Sequence, residues 1–167
     1  MMIDRRAMLA SAPAPAPAPR GRVSVVLATG PGPMREALRQ VLGGEADLDV
    51  VAEAHDVDGA VRQARNHGRA VIVLDLVIVR GFVLEAIRGL RRAAPWTAIV
   101  ALSMDDAAAF ARNALAGGAC AYVLADHADR DLADAVRRAA LQCWPGGPPA
   151  GAEHALGGSV PPARFDG

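Results

Sequence analysis

The strongest constraint on this chain is a repeated alternation of two apolar patterns. Short apolar runs rich in Val, Ile and Leu are separated by stretches whose apolar residues recur at helical spacing. The first run is Val23, Val25, Val26, Leu27 and Ala28, which ends in Gly and Pro. Met34, Ala37, Leu38, Val41 and Leu42 then form one helical stripe, closed by Gly43 and Gly44. The pattern recurs as a strand over Leu48–Ala54, a stripe of Val57, Ala60, Val61 and Ala64, and a wholly apolar strand over Ala70–Leu74. Beyond it the spacing predicts a helix around Leu84–Arg92, a strand over Thr97–Leu102 and a helix from about Asp105 to Ala116. A short strand over Ala119–Leu124 and a last helix near Arg130–Gln142 complete five strand–helix pairs.

Strands apolar on both faces belong in a parallel sheet covered on both sides, and repeated βα units cross over right-handedly. The expected fold class is therefore α/β, a doubly wound five-stranded parallel sheet. Ligand sites in such sheets lie beyond the carboxyl ends of the strands, near the point where strand order reverses. That rule singles out Thr29, Gly30, Asp75, Ser103 and Ala125.

Outside roughly residues 22–142 the patterning stops. Ser11–Pro19 alternates Ala and Pro, which favours an extended backbone and cannot build a core, so 1–21 is expected to be a disordered arm. After Cys143 the chain turns to Trp144, Pro145, Gly146, Gly147, Pro148 and Pro149, so 143–167 is expected to be a disordered Gly/Pro/Ala-rich tail. With 52% hydrophobic and 22% charged residues the central part can bury a core. Basic and acidic residues balance at 18 each, which leaves no global charge footprint for nucleic acid or anionic membrane. Every basic residue is Arg, a bias that accompanies the Ala and Gly richness. There is neither a signal-like segment nor an apolar stretch of membrane-spanning length, so the expected location is cytoplasmic. Cys120 and Cys143 have neither CxxC spacing nor a nearby His pair, and read as two buried or incidental thiols rather than a metal site or disulfide framework.

With this order of elements, several stretches resemble the receiver domains of bacterial response regulators that carry a helix-turn-helix output. They are Met34-Arg35-Glu36-Ala37-Leu38, Val73-Leu74-Asp75-Leu76, Leu102-Ser103-Met104 and Ala116-Gly117-Gly118-Ala119-Cys120-Ala121-Tyr122. The resemblance covers about Val23–Gln142 and implies a flavodoxin-like receiver fold. It also implies that Asp75 occupies the phosphoacceptor position, Ser103 the hydroxyl that moves with activation, and Tyr122 the aromatic whose ring reorients with that hydroxyl. Without the resemblance, Asp75 reads as a loop cap, Ser103 as a helix N-cap before Asp105, and Tyr122 as a core or surface ring.

The departures bear on the chemistry. Receivers place two adjacent acidic residues after the first strand to help hold Mg²⁺, where this chain has Thr29 and Gly30. They carry a lysine after the fifth strand to pair with phosphoryl oxygens, where this chain has Ala125. Magnesium takes oxygen ligands, usually carboxylates with phosphate and water, so with Asp75 alone its binding is expected to be weak or absent. Phosphoryl transfer depends on positioning and on neutralising charge on the equatorial oxygens, so Asp75 is expected to be a poor acceptor. The loop Val77-Ile78-Val79-Arg80 is unusually apolar, and Arg80 reads as a solvated arginine more readily than as a phosphate contact.

The expected function is that of an atypical receiver, a pseudo-receiver that signals through protein–protein contacts without efficient aspartyl phosphorylation. No catalytic residue, resident metal or cofactor is expected, and the chain is not expected to be an enzyme. The alternative is an ordinary two-component receiver phosphorylated at Asp75 by a histidine kinase. A remoter one is a Rossmann-like nucleotide site at Gly30-Pro31-Gly32, disfavoured because Pro31 and Pro33 have no N–H to offer a phosphate. Expected partners are a histidine kinase or another regulator, or a second copy in a homodimer, with no direct nucleic-acid binding and no membrane. On the last helix Leu132, Val136 and Ala140 are expected inward, with Arg130, Asp134, Arg137 and Arg138 outward.

Overall fold

The computed structural model describes residues 21–143. Apart from Gly21 and Cys143, the arm and tail expected at the two ends lie outside the described residues. In chain order the elements are β1 (Val23–Ala28), α1 (Pro33–Gly43), β2 (Leu48–Ala54), α2 (Val57–His67), β3 (Val71–Asp75), α3 (Val83–Ala93), β4 (Ala98–Ser103), α4 (Ala108–Gly117), β5 (Ala121–Leu124) and α5 (Ala128–Gln142). One-turn 3-10 helices follow β3 at Leu76–Ile78 and β5 at Ala125–His127.

All strand pairs are parallel, in the order β2-β1-β3-β4-β5. The chain steps from β1 outward to β2 and then crosses to β3 on the other side of β1, so strand order reverses between β1 and β3. The core forms two layers because successive strand residues face opposite sides. Val25, Leu27, Val73, Val100 and Leu102 pack against Leu38 and Leu42 of α1 and Leu132 and Val136 of α5. Val26, Ile72, Leu74 and Ile99 pack against Ala60 and Ala64 of α2, Ile87 and Leu90 of α3, and Ala114 of α4.

Local sequence sets the helix ends. Pro33 opens α1, where its missing N–H costs no hydrogen bond. Asp56 caps α2 by accepting from the Gly59 amide, and Gly68 ends it at φ 63°. The start of α4 differs from expectation, at Ala108 rather than near Asp105. The Asp105 amide donates to Ser103 Oγ at 3.0 Å and the Ala107 amide to Asp105 Oδ1 at 2.8 Å, so two side chains take amides that a helix would otherwise order. Ser103 is accordingly not the N-cap of α4; that position falls to Ala107, without a side-chain cap.

Two further expectations are corrected. Leu132, Val136 and Ala140 do face inward, but Arg137 is not on a solvated face. It is half-buried and reaches across to the α1–β2 loop, donating from Nε to Asp47 Oδ2 at 2.7 Å and from Nη2 to Oδ1 at 2.8 Å, and also to Glu45 and Asp134. The two cysteines are not free thiols: Cys120, just before β5, and Cys143, at the end of α5, form a disulfide with Cα atoms 6.1 Å apart. Spacing in sequence could not show this, because a strand and a helix bring the pair together.

Candidate functional site at the carboxyl end of the sheet

Parallel register carries β1, β3, β4 and β5 to one edge. Ala28 pairs with Leu74, Asp75 with Leu102, and Ser103 with Leu124, so Thr29, Asp75, Ser103 and Ala125 gather at neighbouring strand ends. Asp75 is buried at 6% exposure, and both its oxygens are engaged. The Thr29 hydroxyl donates to Oδ2 at 2.9 Å and the Val77 amide to Oδ1 at 3.0 Å. The second contact makes Asp75 the cap of the 3-10 turn Leu76–Ile78, so the loop-cap reading of this residue holds in the structure. Gly30 faces the same turn: a Cβ there would meet Val77 and Ile78 side chains at 3.9 Å. Ala125 is half-buried and opens the turn after β5.

Ser103 and Tyr122 meet on a third residue. Ser103 Oγ accepts from the amide of Asp105, and the Tyr122 hydroxyl donates to its carbonyl at 2.5 Å. The strand-end hydroxyl and the aromatic ring are thus joined through one β4–α4 loop residue.

The sequence did not single out Arg35 as a site residue, though it stands in the best-matching stretch after β1. From the first turn of α1 its Nη2 donates to the carbonyl of Thr29 at 2.6 Å, and it also contacts His55 Nδ1. Its Nε is buried without a hydrogen-bond acceptor, 3.9 Å from Glu53 Oε2. A guanidinium is thereby fixed on the residue whose hydroxyl holds Asp75. An arginine two residues after Pro33 is the only sequence signal for this, and it is weak without the tertiary partner. Arg80 is exposed and makes no ion pair among the described residues.

The donor set does not fit a Mg²⁺ ion. Asp75 is the only carboxylate among the strand-end positions, each of its oxygens already accepts a hydrogen bond, and the nearby Arg35 guanidinium is bound to the Thr29 carbonyl. Among the described residues no three His, Cys, Asp or Glu side chains form a metal-binding group. The loops after β3 and β4 expose large apolar side chains: Val77, Phe82 and Met104 are 74%, 82% and 66% exposed. No helix among the described residues is long and apolar enough to cross a membrane.

Comparison with known proteins agrees with this architecture. The family model for the response regulator receiver domain matches residues 31–137. An uncharacterized transcriptional regulatory protein, YxjL of Bacillus subtilis, is 32% identical over 107 residues, covering 64% of this chain and 49% of that protein. The nitrate/nitrite response regulator protein NarP of Escherichia coli is 33% identical over 107 residues, covering 64% of this chain and 50% of that protein. The chain spans about half the length of these curated relatives. Among solved structures, the signal receiver domain of the putative response regulator NarL from Mycobacterium tuberculosis is similar, with a TM-score of 0.62 and 26% identity over 69% of this chain and 93% of that one. Element order, sheet topology and these matches lead to one assignment: the chain belongs to the response regulator receiver domain family and has the flavodoxin-like receiver fold.

Proposed function

We propose that this receiver is atypical and signals by binding a protein partner, with its conformation set by an input other than efficient phosphorylation of Asp75. The observation that carries the reading is the setting of the buried Asp75 carboxylate, hydrogen-bonded by Thr29 and Val77 with no second carboxylate or cation at the neighbouring strand-end positions. Thr29 and Val77 each donate one hydrogen bond to its oxygens inside a buried site, which lowers their basicity where an incoming phosphoryl group would need a nucleophilic oxygen, a cation and a counter-charge. Thr29, Gly30 and Ala125 supply no carboxylate or cation from their side chains, and Arg35 lies against Thr29. Val77, Phe82 and Met104, exposed on the loops that follow β3 and β4, support protein contact as the output, since exposed large apolar side chains favour association.

The proposed partners are a histidine kinase, another regulator or a second copy of the chain, and the proposed role is that of a signalling module rather than an enzyme. Folded and functional parts are proposed to coincide with residues 22–142, in the cytoplasm. Ser103 and Tyr122 are proposed to act as a unit through Asp105, biased by a partner with different affinities for two arrangements of that loop.

The competing reading, an ordinary receiver phosphorylated at Asp75, draws on the position of Asp75 at the end of β3 beside Ser103 at the end of β4. Incubation with a small phosphodonor and Mg²⁺, followed by intact mass, separates the two, with Asp75→Asn as control. Little or no mass increase is expected; rapid stoichiometric labelling that Asp75→Asn abolishes would establish the ordinary receiver instead.

A further inference from the structure

The Cys120–Cys143 bridge joins the entrance of β5 to the exit of α5 and closes a loop containing Tyr122, Ala125 and the whole of α5. Its two anchors are held differently. The amide of Cys120 donates to the carbonyl of Ile99 at 2.7 Å, which ties it to β4 in the middle of the fold. Cys143 lies one residue beyond the end of α5, where its amide donates to the Ala139 carbonyl at 3.1 Å and its half-buried side chain rests against the core layer beneath α1 and α5.

Among the described residues, the last turn of α5 fully buries only small side chains. Large buried side chains end at Val136, after which the buried positions are Ala139 and Ala140. The turn has no basic residue to oppose the negative end of the helix dipole, and the residue that ends it is in a right-handed conformation rather than the left-handed glycine cap that satisfies final carbonyls. Leu132, Val136 and the Arg137 contacts to Asp47 hold the preceding turns without help from the bridge. Opening the bridge therefore releases the end of α5 while leaving the rest of the helix docked.

We propose that Cys120 and Cys143 form a redox modification site, a reversible disulfide–dithiol pair that sets the order of the last turn of α5. This deepens the preceding reading, on which it rests, by naming thiol–disulfide exchange as an input. Both cysteines are half-buried at the margin of the core rather than fully enclosed in it. The thiolate of a glutathione-type monothiol attacks one sulfur of the bridge, forming a mixed disulfide and expelling the other cysteine as a thiolate, which takes up a proton. A second thiolate attacks the outer sulfur of the mixed disulfide and expels the remaining cysteine, which is likewise protonated. The chain gains two electrons and two protons, and two monothiols leave as their own disulfide. The reverse exchange with that small disulfide closes the bridge.

The full chain is equilibrated in oxidised glutathione or in dithiothreitol, its thiols are counted by alkylation and mass, and its amide exchange is followed. The oxidised chain is expected to offer no alkylatable thiol and the reduced chain both cysteines. On reduction the amides of Leu141, Gln142 and Cys143 are expected to exchange about tenfold faster, while those of β3 and β4 keep their protection. Cys143→Ser is expected to exchange fast at these positions in both buffers. Equal exchange at Leu141–Cys143 in the two buffers, or failure of the bridge to close in oxidised glutathione, overturns the proposal. Phosphoryl labelling of Asp75 overturns only the preceding reading, since it leaves these exchange rates untouched.

Discussion

Thr29 and Asp75, 46 residues apart in the chain, meet in a hydrogen bond of 2.9 Å in which the threonine hydroxyl donates to the buried carboxylate. Thr29→Val keeps the shape and removes the donor, leaving Oδ2 without this partner. The expected cost is about 1–2 kcal/mol in denaturant unfolding, the penalty of a buried acceptor that loses its partner. A loss below a few tenths would mean that water reaches Asp75 and that this hydrogen bond is weaker than the geometry implies.

Restoring the missing groups should restore cation binding. In Thr29→Asp/Gly30→Asp/Ala125→Lys two carboxylates join Asp75, and their mutual repulsion is relieved by a divalent cation. The melting temperature of this variant is expected to rise on adding millimolar Mg²⁺, while that of the parent stays constant. Labelling by a small phosphodonor is expected to increase at least about tenfold, in keeping with the charge stabilisation that such groups supply.

Arg137 joins α5 to the α1–β2 loop, and its hydrogen bond holds the Asp47 carboxyl below its usual range against the opposing effect of burial. A carboxylate with a depressed folded pKa stabilises the fold above its unfolded value of about 3.9, and that contribution fades as pH falls through the lower folded value. Arg137→Met is expected to cost about 2 kcal/mol at neutral pH, since it leaves Asp47 and Glu45 facing each other without their cation. The gap between parent and variant should narrow below about pH 4 as Asp47 protonates. Urea unfolding across pH measures both, and a gap constant with pH would place the effect of Arg137 in packing instead.

Helices α3 and α4 touch at Gly117, where an added Cβ would lie 3.0 Å from both the Ile87 Cβ and the Leu84 carbonyl. One of those neighbours is backbone and cannot swing aside. Gly117→Ala is expected to destabilise by about 1–3 kcal/mol through overpacking. Gly89→Ala, where no atom lies within 4 Å, serves as the tolerated control and is expected to be neutral or slightly stabilising in thermal unfolding.

The parts of the fold legible in the sequence were those written in local periodicity. The β1 and β2 strands fall on the predicted residues because runs such as Val25-Val26-Leu27 can be buried on both faces only in a covered sheet. Register then followed from topology, which is why Thr29, Asp75, Ser103 and Ala125 gather as expected. Features created by distant partners were not legible. Nothing near Arg137 announces Asp47, 90 residues away, and nothing near Cys143 announces Cys120 across a strand and a helix. The late start of α4 lies between these extremes: Ser103 reads in sequence as an N-cap before Asp105, but its Oγ and the Asp105 carboxylate accept loop amides instead, which delays the helix to Ala108.

Strand order also bears on how copies of the fold can meet. The outer strands of the sheet are β2 and β5. Along β2, Asp49 and Glu53 introduce like charges, and Arg39 reaches over to pair with Glu53 at 2.9 Å. At the opposite margin β5 spans only four residues. A charged margin and a short one are poor templates for a neighbouring chain to extend by backbone pairing, which protects such a sheet from fibrillar growth. Self-recognition by this domain is thereby steered toward its helices and loop rims, where side chains rather than bare backbone decide which surface fits.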